Sequence, residues 1–179
     1  MRVALAAIIV AAVAAPLAAC EREAATMPDK PVETPKRKPG LWVQTTHIEA
    51  MGDLPPISLC IDVASDAKMA WWGQQGVRGA CLKNDVAKND DGSWSFESVC
   101  QTEGNIRTTS RGTASGDFNS AYAVDVQTTT EGAPIPDLNR TQNVTMGFEW
   151  QGECPVDMKP GDMRLPDGSV VNYVDRVGG

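Results

Sequence analysis

The chain has 179 residues, with 23 acidic side chains against 16 basic ones and a formal net charge of −7. That balance argues against nucleic acid as a partner and against electrostatic docking to anionic phospholipid. Any hold on a membrane must come from something other than a basic patch.

The N-terminus supplies that something. Arg2 precedes an apolar, Ala-rich run from Val3 to Ala19, too short and small-chained for a membrane span but suited to the hydrophobic part of a secretory signal. The run ends in Leu17-Ala18-Ala19-Cys20, which resembles a bacterial lipobox. Small side chains admit the backbone to the peptidase, Leu17 seats it, and only a thiol forms the thioether to diacylglycerol. We therefore expect a signal peptide over 1–19 and lipidation at Cys20, with two or three acyl chains giving lasting attachment. Glu21 follows Cys20 where Asp is associated with inner-membrane retention. The expected address is the cell envelope facing the periplasm, with the outer membrane favoured.

Residues 20–39 carry prolines and charges without apolar periodicity and read as a solvated tether, spanning roughly 25 Å as a coil. The Lys36-Arg37-Lys38 run belongs to it and is expected to be solvated.

The body, residues 40–155, reads as mainly β: an antiparallel meander sheet, curved or partly closed as a barrel, with one short helix and two disulfides. Gly40–Ile48 is rich in β-branched and aromatic residues. A loop over Met51–Pro56 separates it from a strand at Ile57–Ile61. Asp62–Trp72 breaks the alternation and favours helix, with Asp62 able to cap it. Residues 73–80, with three glycines, form a loop. Short strands then recur between turn signals, over Leu82–Ala87, Ser93–Cys100, Ile106–Ala114, Phe118–Thr130 and Asn139–Trp150. In the later strands one side is apolar: Trp94, Phe96 and Cys100; then Phe118, Tyr122, Val124 and Val126; then Val144, Met146, Phe148 and Trp150. The extension 156–179 holds two turns and a short strand at Val170–Val174.

Cys60, Cys81, Cys100 and Cys154 form an even set, read as two disulfides of an oxidising compartment. A zinc site would need paired ligands two to four residues apart, and no such pair exists. Three pairings are open to the sequence; we favour Cys60–Cys81 with Cys100–Cys154, so that a Cys81–Cys100 bond would refute the choice.

Catalytic signals are sparse. His47 is the only histidine, placed in a polar strand and expected to face solvent or a hydrogen-bond partner. No Gly-x-Ser-x-Gly elbow, phosphate loop or dinucleotide fingerprint occurs. Asn89, Asp90 and Asp91, with Asp85 nearby, lack the spacing of a calcium loop and read as a hairpin turn. Asp162 and Asp167 sit in Pro/Gly turns. No catalytic residue, metal or cofactor is assigned. Trp71-Trp72 stands out as a possible binding surface, because adjacent helical residues point about 100° apart and cannot share one core.

Lys38-Pro39-Gly40-Leu41-Trp42 opening a strand, Leu59-Cys60, Cys81, Val99-Cys100 and Trp150-Gln151-Gly152-Glu153-Cys154-Pro155 form an ordered set. The set resembles a family of exported proteobacterial proteins catalogued as domain of unknown function number 3617, over roughly residues 38–155. Where that family has Thr-Pro-Glu after its first cysteine, this chain has Ile61-Asp62-Val63. The resemblance implies export, disulfides and a β fold, and no activity. The expectation is a non-enzymatic binding or interaction module, partnered by the membrane through its lipid and by an unknown periplasmic protein or apolar ligand. A carrier of a small apolar or lipid ligand is the alternative, and an envelope hydrolase the least favoured.

Overall fold

The computed structural model describes residues 34–69, 80–101 and 105–177. The lipobox with Cys20, most of the expected tether, and Trp71 and Trp72 lie outside the described residues. The elements run β1 (Gly40–Ile48), β2 (Gly52–Ile61), α1 (Val63–Asp66), β3 (Ala80–Lys88), β4 (Trp94–Gln101), β5 (Arg107–Gly116), β6 (Ala121–Glu131), β7 (Thr141–Gly152), β8 (Asp162–Arg164), β9 (Val170–Asn172) and α2 (Tyr173–Val177). The described strands form one antiparallel sheet in the order β3-β4-β5-β6-β7-β1-β2-β8-β9. It is open, with β3 and β9 as its edges.

Period-two alternation gives this sheet its two faces. On the inner face one row across the strands reads Trp94, Ala114, Val124, Met146, and the next reads Phe96, Gly112, Val126, Val144. A third row places Tyr122 beside Phe148 and Gln44. Tyr122 stacks on Phe148 with centroids 4.3 Å apart and on Phe118 at 4.5 Å, and Trp42 meets it edge-on at 5.5 Å. Trp42 and Val124 are wholly excluded from solvent. Burying each such side chain is worth about 1.5–3 kcal/mol.

Several expectations need correcting. The disulfides are Cys60–Cys154 and Cys81–Cys100, so the favoured pairing of Cys60 with Cys81 and Cys100 with Cys154 is wrong. The reason lies in the sheet order. β1 inserts between β2 and β7, which brings the end of β2 near the end of β7. Cys60 and Cys81 lie on strands far apart in the sheet, whereas Cys81 faces Cys100 directly across β3 and β4.

The Met51–Pro56 segment is not a loop: β2 already begins at Gly52, and Pro55 and Pro56 fall where the register with β1 shifts. Proline is tolerated at such an irregularity, above all where β8 pairs only Ser58 and Leu59 and leaves the first half of β2 as an edge. The helix is a single turn. Asp62 caps it as expected, accepting the Ser65 N–H at 2.7 Å while Ser65 Oγ accepts the Asp62 N–H at 2.8 Å. Phe118 lies in the β5–β6 turn with φ +55° rather than in β6, yet remains buried. Residues 162–177 add β8, β9 and a second helix to the same sheet.

The basic run is not all solvated. Arg37 is buried, with its Nε 2.6 Å from Asp66 Oδ1 and its side chain only 1% exposed. Its backbone N–H donates to Asp66 Oδ2, and Nη1 donates to the Tyr122 hydroxyl. The segment before β1 therefore helps to cover the inner face.

Candidate functional site

The residues at the two ends of the family pattern, Lys38–Trp42 with Cys60 and Trp150–Cys154, converge on one corner of the sheet, while Cys81 and Val99-Cys100 lie apart from them on β3 and β4. Trp42 Nε1 donates to the Lys38 carbonyl at 2.8 Å, and Trp150 Nε1 donates to the Pro39 carbonyl at 3.0 Å. Lys38 Nζ lies 3.4 Å from the centre of the Trp150 ring, a cation–π contact. The Lys38 N–H binds the Phe118 carbonyl. Gly40 has φ +132°, and a Cβ there would collide with the Gly152 carbonyl and stand 2.5 Å from Trp150 Nε1. Only glycine permits that approach. Cys60–Cys154 then ties β2 to the end of β7 across β1. Each motif residue here has a structural partner. The cluster is a clamp holding three strands and the entering chain together.

Reactive groups elsewhere are likewise engaged. His47 sits on the outer face with Nδ1 2.6 Å from Asp53 Oδ1 and its side chain 54% exposed. Thr145 faces it from β7 but gives its hydroxyl proton to Asp125 at 2.8 Å. The acid, imidazole and hydroxyl thus share a row on an open face without forming a relay.

Nearer the β3 edge, Asp85 and Glu97 stand directly opposite one another. Lys83 Nζ lies 2.7 Å from Glu97 and 3.3 Å from Asp85, and Arg111 lies 3.1 Å from Glu97 on its other side. The hydrogen bond from Lys83, then that from Arg111, holds the Glu97 carboxyl below its usual range. These groups border a shallow trough of about 480 Å³. A second trough of about 380 Å³ is floored by Ala121, Ala123 and Gly147 on the same outer face.

The turn aspartates act locally. Asp91 accepts the N–H and hydroxyl of Ser93, and Asp167 those of Ser169. Asp162 is buried and accepts from the Lys159 N–H and Asn172 Nδ2. Among the described residues no group of three or more His, Cys, Asp or Glu side chains is placed to hold a metal ion. Nor is any helix among them long and apolar enough to cross a membrane.

What remains is the inner face itself. Beyond the sealed aromatic core it continues through Ile48, Ile57, Val126 and Val144, all half-buried, and then gives way to Ser110 and Thr128, whose hydroxyls lie 3.1 Å apart. Sequence reasoning found the apolar alternation of these strands but not Arg37, whose partner lies 29 residues away. Nor did it find the meaning of Gly40, which depends on the approach of Gly152 and Trp150 from the far end of the domain.

No curated protein and no solved structure matches the chain. The clamp and both disulfides fall inside the stretch covered by one family model, residues 37–154. On that match the chain belongs to the family of proteins of unknown function designated DUF3617.

Proposed function

We propose that the protein is an envelope lipoprotein, anchored through diacylglycerol on Cys20, whose β domain is a binding module rather than an enzyme. The anchor reading rests on the Leu17–Cys20 motif. The binding reading rests on one observation: the inner face of an open sheet continues from its aromatic core onto half-buried Ile48, Ile57, Val126 and Val144. An apolar strip flanked by hydroxyls is a contact surface for a partner with an apolar patch of its own. Trp71 and Trp72 are retained as a second contact on sequence grounds.

A photo-crosslinking residue at Val126 or Val144 tests this in cells. Crosslinks to one periplasmic protein are the expected result. Crosslinks to lipid or a small apolar molecule would instead favour a carrier, and no crosslink above that of outer-face position Gln127 would sink the binding reading. The anchor has its own test. Cys20→Ser should move the protein from membranes to the soluble fraction, and continued membrane fractionation would contradict lipidation.

A further inference from the structure

The two disulfides occupy opposite surroundings. Cys60 is wholly buried, paired with Leu41 of β1 on one side and accepting the Gly161 N–H at its carbonyl, and its partner Cys154 is half-buried. Cys81 is exposed and lies near the start of β3, which among the described strands pairs with β4 alone. Its partner Cys100 is 2% exposed. The β3–β4 register shifts immediately beyond the bond, between Cys81 and Lys83, so the ladder is irregular beside it. Thiol–disulfide exchange needs a thiolate to reach one sulfur, so access decides which bond reacts and at which end.

We propose that Cys81–Cys100 is a thiol–disulfide exchange site entered at Cys81, for a small thiol or a dithiol oxidoreductase. The incoming thiolate forms a bond to Cys81 Sγ, the Cys81–Cys100 bond breaks, and Cys100 leaves as a thiolate that takes a proton from solvent. With a monothiol the product is a mixed disulfide on Cys81. Cys100, once deprotonated again, can attack Cys81 Sγ, breaking the bond to the monothiol, expelling it as its thiolate and restoring the original bond. With a dithiol the reagent's second thiolate displaces Cys81. The reagent is then oxidised to its disulfide, and Cys81 and Cys100 are reduced to two thiols. Because no other described strand pairs with the far side of β3, opening the bond frees the start of β3 while Cys60–Cys154 keeps the clamp closed.

The full-length mature protein in detergent, under native conditions, is exposed to graded reduced glutathione, quenched, alkylated and peptide-mapped. Cys81 and Cys100 should become alkylatable about tenfold or more faster than Cys60 and Cys154, with the glutathione adduct on Cys81. Amide exchange should then rise in β3 and stay unchanged in β1. The proposal is overturned if the two bonds open together, if Cys60–Cys154 opens first, if the adduct sits on Cys100, or if neither bond opens without denaturant.

Discussion

β1 and β3 are both nine-residue strands, and they lead opposite lives. β1 is paired along both sides, by β2 and β7, and it buries Trp42 completely. Its neighbours are joined by a disulfide that spans 94 residues of sequence. β3 is paired on one side by the strand that follows it, carries an exposed Leu82, and is closed by a bond spanning 19 residues. The difference teaches where stability resides. Contacts made across the whole chain are costly to form and seal the core, whereas a local hairpin forms readily and protects little. The sheet should therefore open from β3 inwards, with β1 amides among the last to exchange.

The largest test of that contrast removes each disulfide in turn. By loop-closure entropy, Cys60→Ser with Cys154→Ser should cost about 4.7 kcal/mol in urea unfolding, and Cys81→Ser with Cys100→Ser about 3 kcal/mol. Equal losses would mean that the clamp is no more central than the edge. Arg37 comes next. Arg37→Ala leaves the Asp66 carboxylate, 11% exposed, without its cation, at an expected cost of about 4 kcal/mol. Adding Asp66→Asn to Arg37→Met should recover most of that, because the burial penalty falls on the unpaired charge and not on the missing pair. If the double variant is as unstable as Arg37→Ala, the loss comes from the missing Arg37 bonds themselves and not from an unpaired carboxylate.

A glycine pair gives a finer comparison. Gly40→Ala drives a Cβ into the Gly152 carbonyl and the Trp150 ring and should cost about 3 kcal/mol. Gly92, in the β3–β4 turn, also has a positive φ but nothing within 4 Å of a new Cβ, so Gly92→Ala should cost only about 1 kcal/mol. Thermal unfolding of both variants reads the difference.

The legible and illegible parts of this fold divide along the same line. The meander from β4 to β7 shows in the sequence because β4, β6 and β7 each have one apolar side, as in Trp94, Phe96 and Tyr122, Val124, while β5 between them shows only as a polar, Thr-rich strand between turns. A two-residue period needs no knowledge of the rest of the chain. The disulfide pairing does not show, because it depends on β1 inserting between β2 and β7. Arg37 looks solvated within Lys36-Arg37-Lys38 since its partner Asp66 is contributed by a helix of one turn. β8 is three residues long, too short for any period to register. The motif residues around Gly40, Cys60 and Trp150 are visible in the sequence, but their common role as a clamp exists only once both ends of the domain meet.

The smallest effect separates two aspartates with similar local roles. Asp117 accepts N–H bonds from Asn119 and Ser120 and the Ser120 hydroxyl, and the Ser120 bonds hold its carboxyl far below the usual range. Asp91 is lowered likewise by the hydroxyl and N–H of Ser93. A carboxylate depressed on folding adds stability above its unfolded pKa of about 4 and loses it as pH falls through the folded value. Both turns should therefore weaken only in acid. Their reach differs, because the residue after Asp117 is Phe118, which packs on Tyr122 and accepts from Lys38, whereas Asp91 caps the hairpin of the edge strand. Asp117→Asn should flatten the fall in melting temperature between about pH 4 and pH 2, and Asp91→Asn should leave that limb unchanged while raising amide exchange in β3. If Asp91→Asn flattens it equally, β3 unfolds with the clamp rather than before it, and the gradient across the sheet is wrong.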